Sequence, residues 1–241
     1  MTLEAGVIRE NYFRVLEQIH QAANRSGRDP TQIRLIVVTK GQPVEVIRAV
    51  VEAGAKDLGE NYPEEALPKI EALQGYFLKW HMIGHLQSRK AKLVAQYFDW
   101  FQALDSLRLA QKLERVLTEQ GRRLPVLLEF NVGGEESKSG WRAENPDSWP
   151  ELLPEIEQIL VTCPHLEVRG IMTMPPLTDN ADQTRRYFAH SRRLRDFLAR
   201  AFPSVSWNEI SMGTSADFPL AIEEGATMVR IGQAILGPRP E

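Results

Sequence analysis

The chain has 241 residues, 43% of them hydrophobic and 25% charged, with a formal net charge of −3. Those values exclude a disordered chain, and 16 Gly with 15 Pro lacking any triplet period exclude a fibrous one. The slightly acidic balance gives no electrostatic reason to expect nucleic acid or anionic lipid as a partner. One cysteine, Cys163, permits neither an internal disulfide nor a Cys-rich zinc site. The N-terminal MTLEAGVIRE lacks the pattern of a signal peptide, and no run approaches the ~18 apolar residues of a membrane span. A cytoplasmic protein without a membrane anchor is expected, and a monomer.

The elements alternate along the chain. Apolar residues at Ile8, Tyr12, Val15 and Ile19 have helical spacing. Arg34 to Thr39 is a β-branched apolar run that suits a strand buried on both faces. A helix opens at Pro43 and closes at Gly54, positions those residues favour. Further strands are predicted at 55–59, 77–83, 98–103, 125–131, 166–171, 206–210 and 227–231. Helices are predicted at 63–73, 88–96, 106–120, 150–161, 181–201 and 216–224. Eight strands, each after the first preceded by a helix, imply a parallel sheet. With a length near that of the eightfold barrel, about 250 residues, the pattern predicts a single-domain (β/α)8 barrel over residues 1–241 with an extra N-terminal helix. No linker divides the chain, and its longest polar stretch, 133–150, falls in the loop after the fifth strand, on the face where such barrels carry their sites.

Lys40 follows the first strand directly, so its side chain is expected at the barrel mouth. Apolar walls lower a lysine's pKa by desolvation, and the neutral amine can form a Schiff base with an aldehyde. On position alone, a solvated strand-end lysine is the commoner case. Ser211 to Ser215, with Gly213 and Thr214, joins the seventh strand to a helix, and such a loop presents hydroxyls and N–H groups to an anion. It also reads as a plain helix cap. Arg230 and Gly232 leave the eighth strand, and loops after strands seven and eight are the recurrent phosphate site of these barrels. Arg230 would otherwise form an ion pair at the rim. Barrel closure sets Arg230 beside Lys40. A lysine, an arginine and a phosphate cradle together describe a pyridoxal 5′-phosphate site, whose protein requirements are a Schiff-base lysine and an Asp or Arg at the pyridine nitrogen.

Other features point nowhere in particular. His81 and His85 stand four apart, but in a strand ending at Gly84, and no third metal ligand is evident. Neither a G-x-G-x-x-G nor a Walker loop is present. Lys138 reads as a solvated loop charge, and Trp141 and Trp149 as anchors of the loop between them.

Four segments resemble the pyridoxal phosphate homeostasis family, related to the N-terminal barrel of alanine racemase. They are Trp80 to Lys90, Gly59 to Tyr62, Asn131 to Gly140, and the C-terminal block from Ser211 through Gly232 to Gly237. The resemblance spans nearly the whole chain. It departs from the family at Thr214, where Met is usual, and at Leu236, where Phe is usual. It implies that Lys40 holds the cofactor, that Asn61 lies beside its ring and that Arg230 faces the pyridine nitrogen. Ser211, Gly213, Thr214 and Gly232 would then surround the phosphate.

The resemblance also implies binding and release of cofactor, with apo-enzymes as recipients, rather than turnover. An arginine stays protonated and leaves the pyridine nitrogen unprotonated, a poor electron sink. Racemases of this type take their second acid/base, a Tyr, from a further domain or partner subunit, for which the barrel is expected to leave no residues. A weak racemase and a Schiff-base aldolase are the alternative functions.

Overall fold

The first strand, β1, Arg34–Val38, is one arginine followed by four apolar residues, and it is hydrogen-bonded on both sides by parallel neighbours. The structure is a computed structural model describing residues 3–239. In chain order β2 is Asp57–Glu60, β3 Lys79–Met82, β4 Trp100–Leu104, β5 Leu124–Asn131, β6 Trp141–Arg142, β7 Leu166–Thr173, β8 Glu209–Ser211 and β9 Met228–Ile231. The hydrogen-bonded order is β4-β3-β2-β1-β9-β8-β7-β5-β6, and a further β4–β5 pairing closes the ring. All pairings are parallel. Eight strands thus form a closed (β/α)8 barrel, as expected, and two-residue β6 is a side branch on β5. The extra N-terminal helix, α1 (Ala5–Arg25), is present, with Ile8, Tyr12, Val15 and Ile19 buried.

Helices α2 (Val44–Glu52), α3 (Pro63–Ala72), α4 (Ala91–Tyr97), α5 (Leu107–Gln120), α6 (Leu153–Thr162), α7 (Ala181–Ala201), α8 (Phe218–Glu223) and α9 (Gln233–Leu236) follow their strands. Among the described residues, no helix is long and apolar enough to cross a membrane.

Two boundaries differ from the sequence reading in ways that move site residues. The strand expected at 206–210 is Glu209–Ser211. Trp207 is buried, its indole donates to Phe202 O, and its carbonyl accepts from Arg195, so the chain joins the ladder only at Glu209. Ser211 therefore belongs to a strand, not to the loop. The helix expected from Ala216 starts at Phe218, after Asp217 folds back onto Thr214 through a hydrogen bond to its N–H.

The barrel interior is polar along one line. Arg230 Nη1 donates to Ser211 Oγ (2.6 Å), which donates to Gln102 Oε1 (2.7 Å). The Gln102 amide donates to His81 Nδ1 (3.0 Å), and His81 Nε2 donates to Asp57 Oδ1 (2.9 Å). Arginine can only donate, so every later member has one role available. His81 is fixed as the neutral Nε2–H tautomer, and burial, opposed by Asp57, lowers its pKa.

Candidate functional site

The C-terminal ends of β1, β2, β7, β8 and β9 surround a cavity of about 310 Å3. Lys40, Asn61, Thr214, Arg230 and Gly232 line it together, so five of the seven sequence-derived site residues meet in one place. Its volume is at the lower end of ligand pockets, which suits a small molecule. Lys40 also lines an adjoining cavity of about 270 Å3 on the side of Gln42 and Pro238.

Lys40 is half-buried, and burial pushes its ammonium below the ordinary lysine range. Arg239 and Arg230 push the same way, against Glu60 and Glu65. The backbone beneath it is held by a buried cation that the sequence pattern does not single out. Lys69, in α3, donates to Thr39 O (2.9 Å), Glu60 Oε1 (2.7 Å) and Glu65 Oε1 (2.8 Å). Thr39 Oγ1 also donates to Glu60 Oε1 (2.6 Å), so the residue before Lys40 is pinned on both its carbonyl and its hydroxyl.

Arg230 is 5% exposed, and its guanidinium is spread across two neighbouring strands, with Nη1 on Ser211 in β8 and Nη2 on Thr173 O in β7 (2.9 Å). Burial lowers its pKa to about 10, opposed by Glu129 and Asp217, so it remains charged at neutral pH.

Two expected phosphate ligands have other work. Ser211 is fully buried, and its hydroxyl is taken up by Arg230 and Gln102, because the strand shift carries it into the barrel. The hydroxyl expected at the phosphate holds Arg230 in this structure. Gly213 lies behind the cavity wall, its carbonyl accepting from Arg230 N. Its φ is +92°, and a Cβ at this position would lie 2.6 Å from Ala221 Cβ, so no side chain fits. The Thr214 N–H and hydroxyl both donate to Asp217 Oδ1.

The donors left over come from residues that include two the sequence pattern does not mark, Ala216 and Gln233. Among the described residues, no protein acceptor meets the N–H groups of Ser215, Ala216, Gly232 or Gln233. All four residues line the cavity. Ser215 and Gly232 are half-buried and Ala216 and Gln233 exposed, so these four N–H groups stand free at the mouth, and free backbone N–H groups from two adjacent loops suit an anion. Arg239 adds a cation at the same rim. A phosphate on these amides and an aldehyde at the Lys40 amine fit the donor set present. Among the described residues, no group of three or more His, Cys, Asp or Glu is arranged to hold a metal.

Residues 13–240 match the family described as alanine racemase, N-terminal domain. The pyridoxal phosphate homeostasis protein of Aquifex aeolicus is 40% identical over 230 residues, 95% of this chain and 97% of that one. The chain belongs to the pyridoxal phosphate homeostasis family. The solved structure of a second relative, PipY of Synechococcus elongatus PCC7942 with PLP bound, is 34% identical with a TM-score of 0.77. The match covers 91% of this chain and all of that one. Alanine racemase of Clostridium difficile 630 shares the fold, at 18% identity and a TM-score of 0.73, over 98% of this chain and 58% of that one. As a homeostasis-family member, the chain shares its barrel fold with alanine racemase.

Proposed function

We propose that this protein binds, holds and releases pyridoxal 5′-phosphate as part of cofactor homeostasis, without strong catalysis of its own. The observation that carries the reading is the meeting of a half-buried Lys40, a buried Arg230 and four unpaired backbone amides in one cavity. The bound group would supply an aldehyde to the Lys40 amine, and burial keeps that amine readier to lose its proton than an exposed lysine. Asn61 flanks the ring, Arg230 faces its nitrogen, and Gly232 forms the phosphate side with Ser215, Ala216 and Gln233, while Thr214 borders it with its own donors held by Asp217.

A charged arginine at the ring nitrogen favours retention over carbanion chemistry, because it leaves that nitrogen without a proton to draw electrons. Release needs only an incoming amine, which fits apo-enzymes as recipients in the cytoplasm. The proposed unit is one barrel domain acting as a monomer. Both the named Aquifex relative and PLP-bound PipY support the ligand's identity.

The test is the purified protein's visible absorption, then borohydride and peptide mapping. A yellow protein with the adduct on Lys40 is expected, and an adduct on another lysine would falsify the assignment. Pyridoxal should bind orders of magnitude more weakly than its phosphate, since each charge-assisted hydrogen bond contributes roughly 1.5–3 kcal/mol. Equal affinity would remove the amide cradle from the account.

A further inference from the structure

Lys40 follows β1 and Glu129 lies in β5, on opposite sides of the closed ring. Counting round the closed ring, β5 is four strands from β1 in either direction. Arg230 bridges much of that distance. From β9 its guanidinium passes Ser211 on β8 and ends on Thr173 O in β7. In the register of the next pair, Thr173 opposes Phe130 and Met172 opposes Glu129. The end of the guanidinium is thus one strand away from the Glu129 position.

Glu129 is 9% exposed, and its Oε2 has no hydrogen-bond partner among the described residues. The loop after β5 packs down on it: a Cβ on Gly140 would lie 2.6 Å from Glu129 O and 3.1 Å from its Cγ. A buried carboxylate with an unpaired oxygen is costly, so the site favours the neutral acid. Burial pushes its pKa from 4.5 to about 7, and Asp105 at the end of β4 adds to the rise. Arg230 from β9, His85 from the loop after β3 and Lys138 from the loop after β5 oppose it. Asp105 is itself tied to His85 Nδ1 (2.9 Å), which Ser139 also approaches (3.3 Å).

We propose that Glu129 is a positioning residue of the binding site, a proton-holding partner of Arg230 that sets how firmly the mouth retains its anionic ligand as pH changes. The inference rests on the reading of the cavity as a pyridoxal phosphate site. A phosphate bound in the cavity that Arg230 also lines offsets part of the positive field that now favours the ionised form of Glu129. Ligand binding therefore raises the proton affinity of Glu129, and by linkage a protonated Glu129 raises ligand affinity by the same factor. Retention is strong below neutrality and weakens above it.

The experiment compares wild type with Glu129→Gln, which is neutral at every pH. Dissociation constants for pyridoxal 5′-phosphate are measured at pH 6, 7 and 8. Calorimetry at pH 7 in two buffers of different ionisation heat counts protons taken up. Both proteins share the ligand's own titrations, so their difference isolates Glu129. Wild type should lose affinity from pH 6 to 8 by several-fold more than the variant, about tenfold for each unit by which the ligand shifts Glu129. It should also take up a larger fraction of a proton. In wild type, the 13C resonance of the Glu129 carboxyl should titrate near neutrality and move upward with ligand, a readout that needs no variant. Binding with the same pH slope in both proteins, or a carboxyl whose titration ignores the ligand, overturns the inference and leaves the proposed function standing. No binding by wild type at any pH overturns both.

Discussion

Arg230 and Ser211 hold each other in the barrel wall: the guanidinium donates to the hydroxyl at 2.6 Å, and neither side chain is exposed beyond 5%. The consequence is that Ser211 sets the position of Arg230 at the cavity wall. Behind it the chain of donors continues through Gln102 and His81 to Asp57, so the orientation of a charged group at the mouth depends on a carboxylate at the start of β2.

Ser211→Ala should therefore destabilise the fold. It removes the acceptor for a buried Arg230 N–H and the donor for Gln102 Oε1, and an orphaned buried group costs about 1–3 kcal/mol. Affinity for pyridoxal and for its phosphate should fall together, because Arg230 loosens while the amides of Ser215, Ala216, Gly232 and Gln233 are untouched. Denaturant melts and two binding curves check this. A selective loss of affinity for the phosphorylated form would return Ser211 to the phosphate cradle.

Most of the architecture is legible in the sequence, and the exceptions have physical causes. β1 stands out because a continuous apolar run, Leu35 to Val38, marks a strand buried on both faces. α1 and α5 stand out because their apolar residues recur at helical spacing. The pattern starts β8 too early because a buried tryptophan, tied to the end of the preceding helix region, delays entry to the ladder. Lys40, Asn61 and Arg230 are found from strand ends, family segments and barrel closure. Lys69 and Glu129 escape notice because a charged residue in a helix or strand reads as solvated until its partners, far away in sequence, are known. The donating amides escape for a different reason. Which N–H groups remain free depends on Asp217 having already taken that of Thr214.

Lys69 offers a test of the floor beneath Lys40. It is 4% exposed and holds two carboxylates and a carbonyl. Burial pushes Glu60 upward, and Lys69 is the main influence opposing this. Lys69→Met should cost about 3–5 kcal/mol, the usual result of stranding one partner of a buried pair. Glu60→Gln combined with Lys69→Met should recover much of that loss, since neither charge is then buried alone. Thermal unfolding of the two variants decides it: a double variant no better than the single one would mean that the pair's value lies in positioning Thr39 rather than in charge.

Glu129 and His81, two of the buried titrating groups, should pull the stability curve in opposite directions between pH 4.5 and 7. Glu129 is raised in the fold to about 7 from 4.5. Between those values the native state binds the proton and the unfolded chain does not, so its contribution is fully present below 4.5 and lost as pH rises through 7. At about 1.4 kcal/mol per unit the loss amounts to about 3 kcal/mol. His81 is lowered from 6.5, burial outweighing Asp57. Its contribution is fully present above 6.5 and is lost as pH falls below that value, because the unfolded chain then takes a proton that the buried ring refuses. In wild type the two slopes partly cancel. Glu129→Gln should expose the histidine slope, with stability rising as pH climbs toward 6.5 and flattening beyond. His81→Gln keeps a donor for Asp57 and an acceptor for the Gln102 amide, and should expose the opposite slope, with stability falling toward pH 7. Chemical denaturation of the three proteins at half-unit steps from pH 5 to 8 measures both. Parallel curves for wild type and Glu129→Gln would mean that the Glu129 carboxyl is ionised throughout, in spite of its burial.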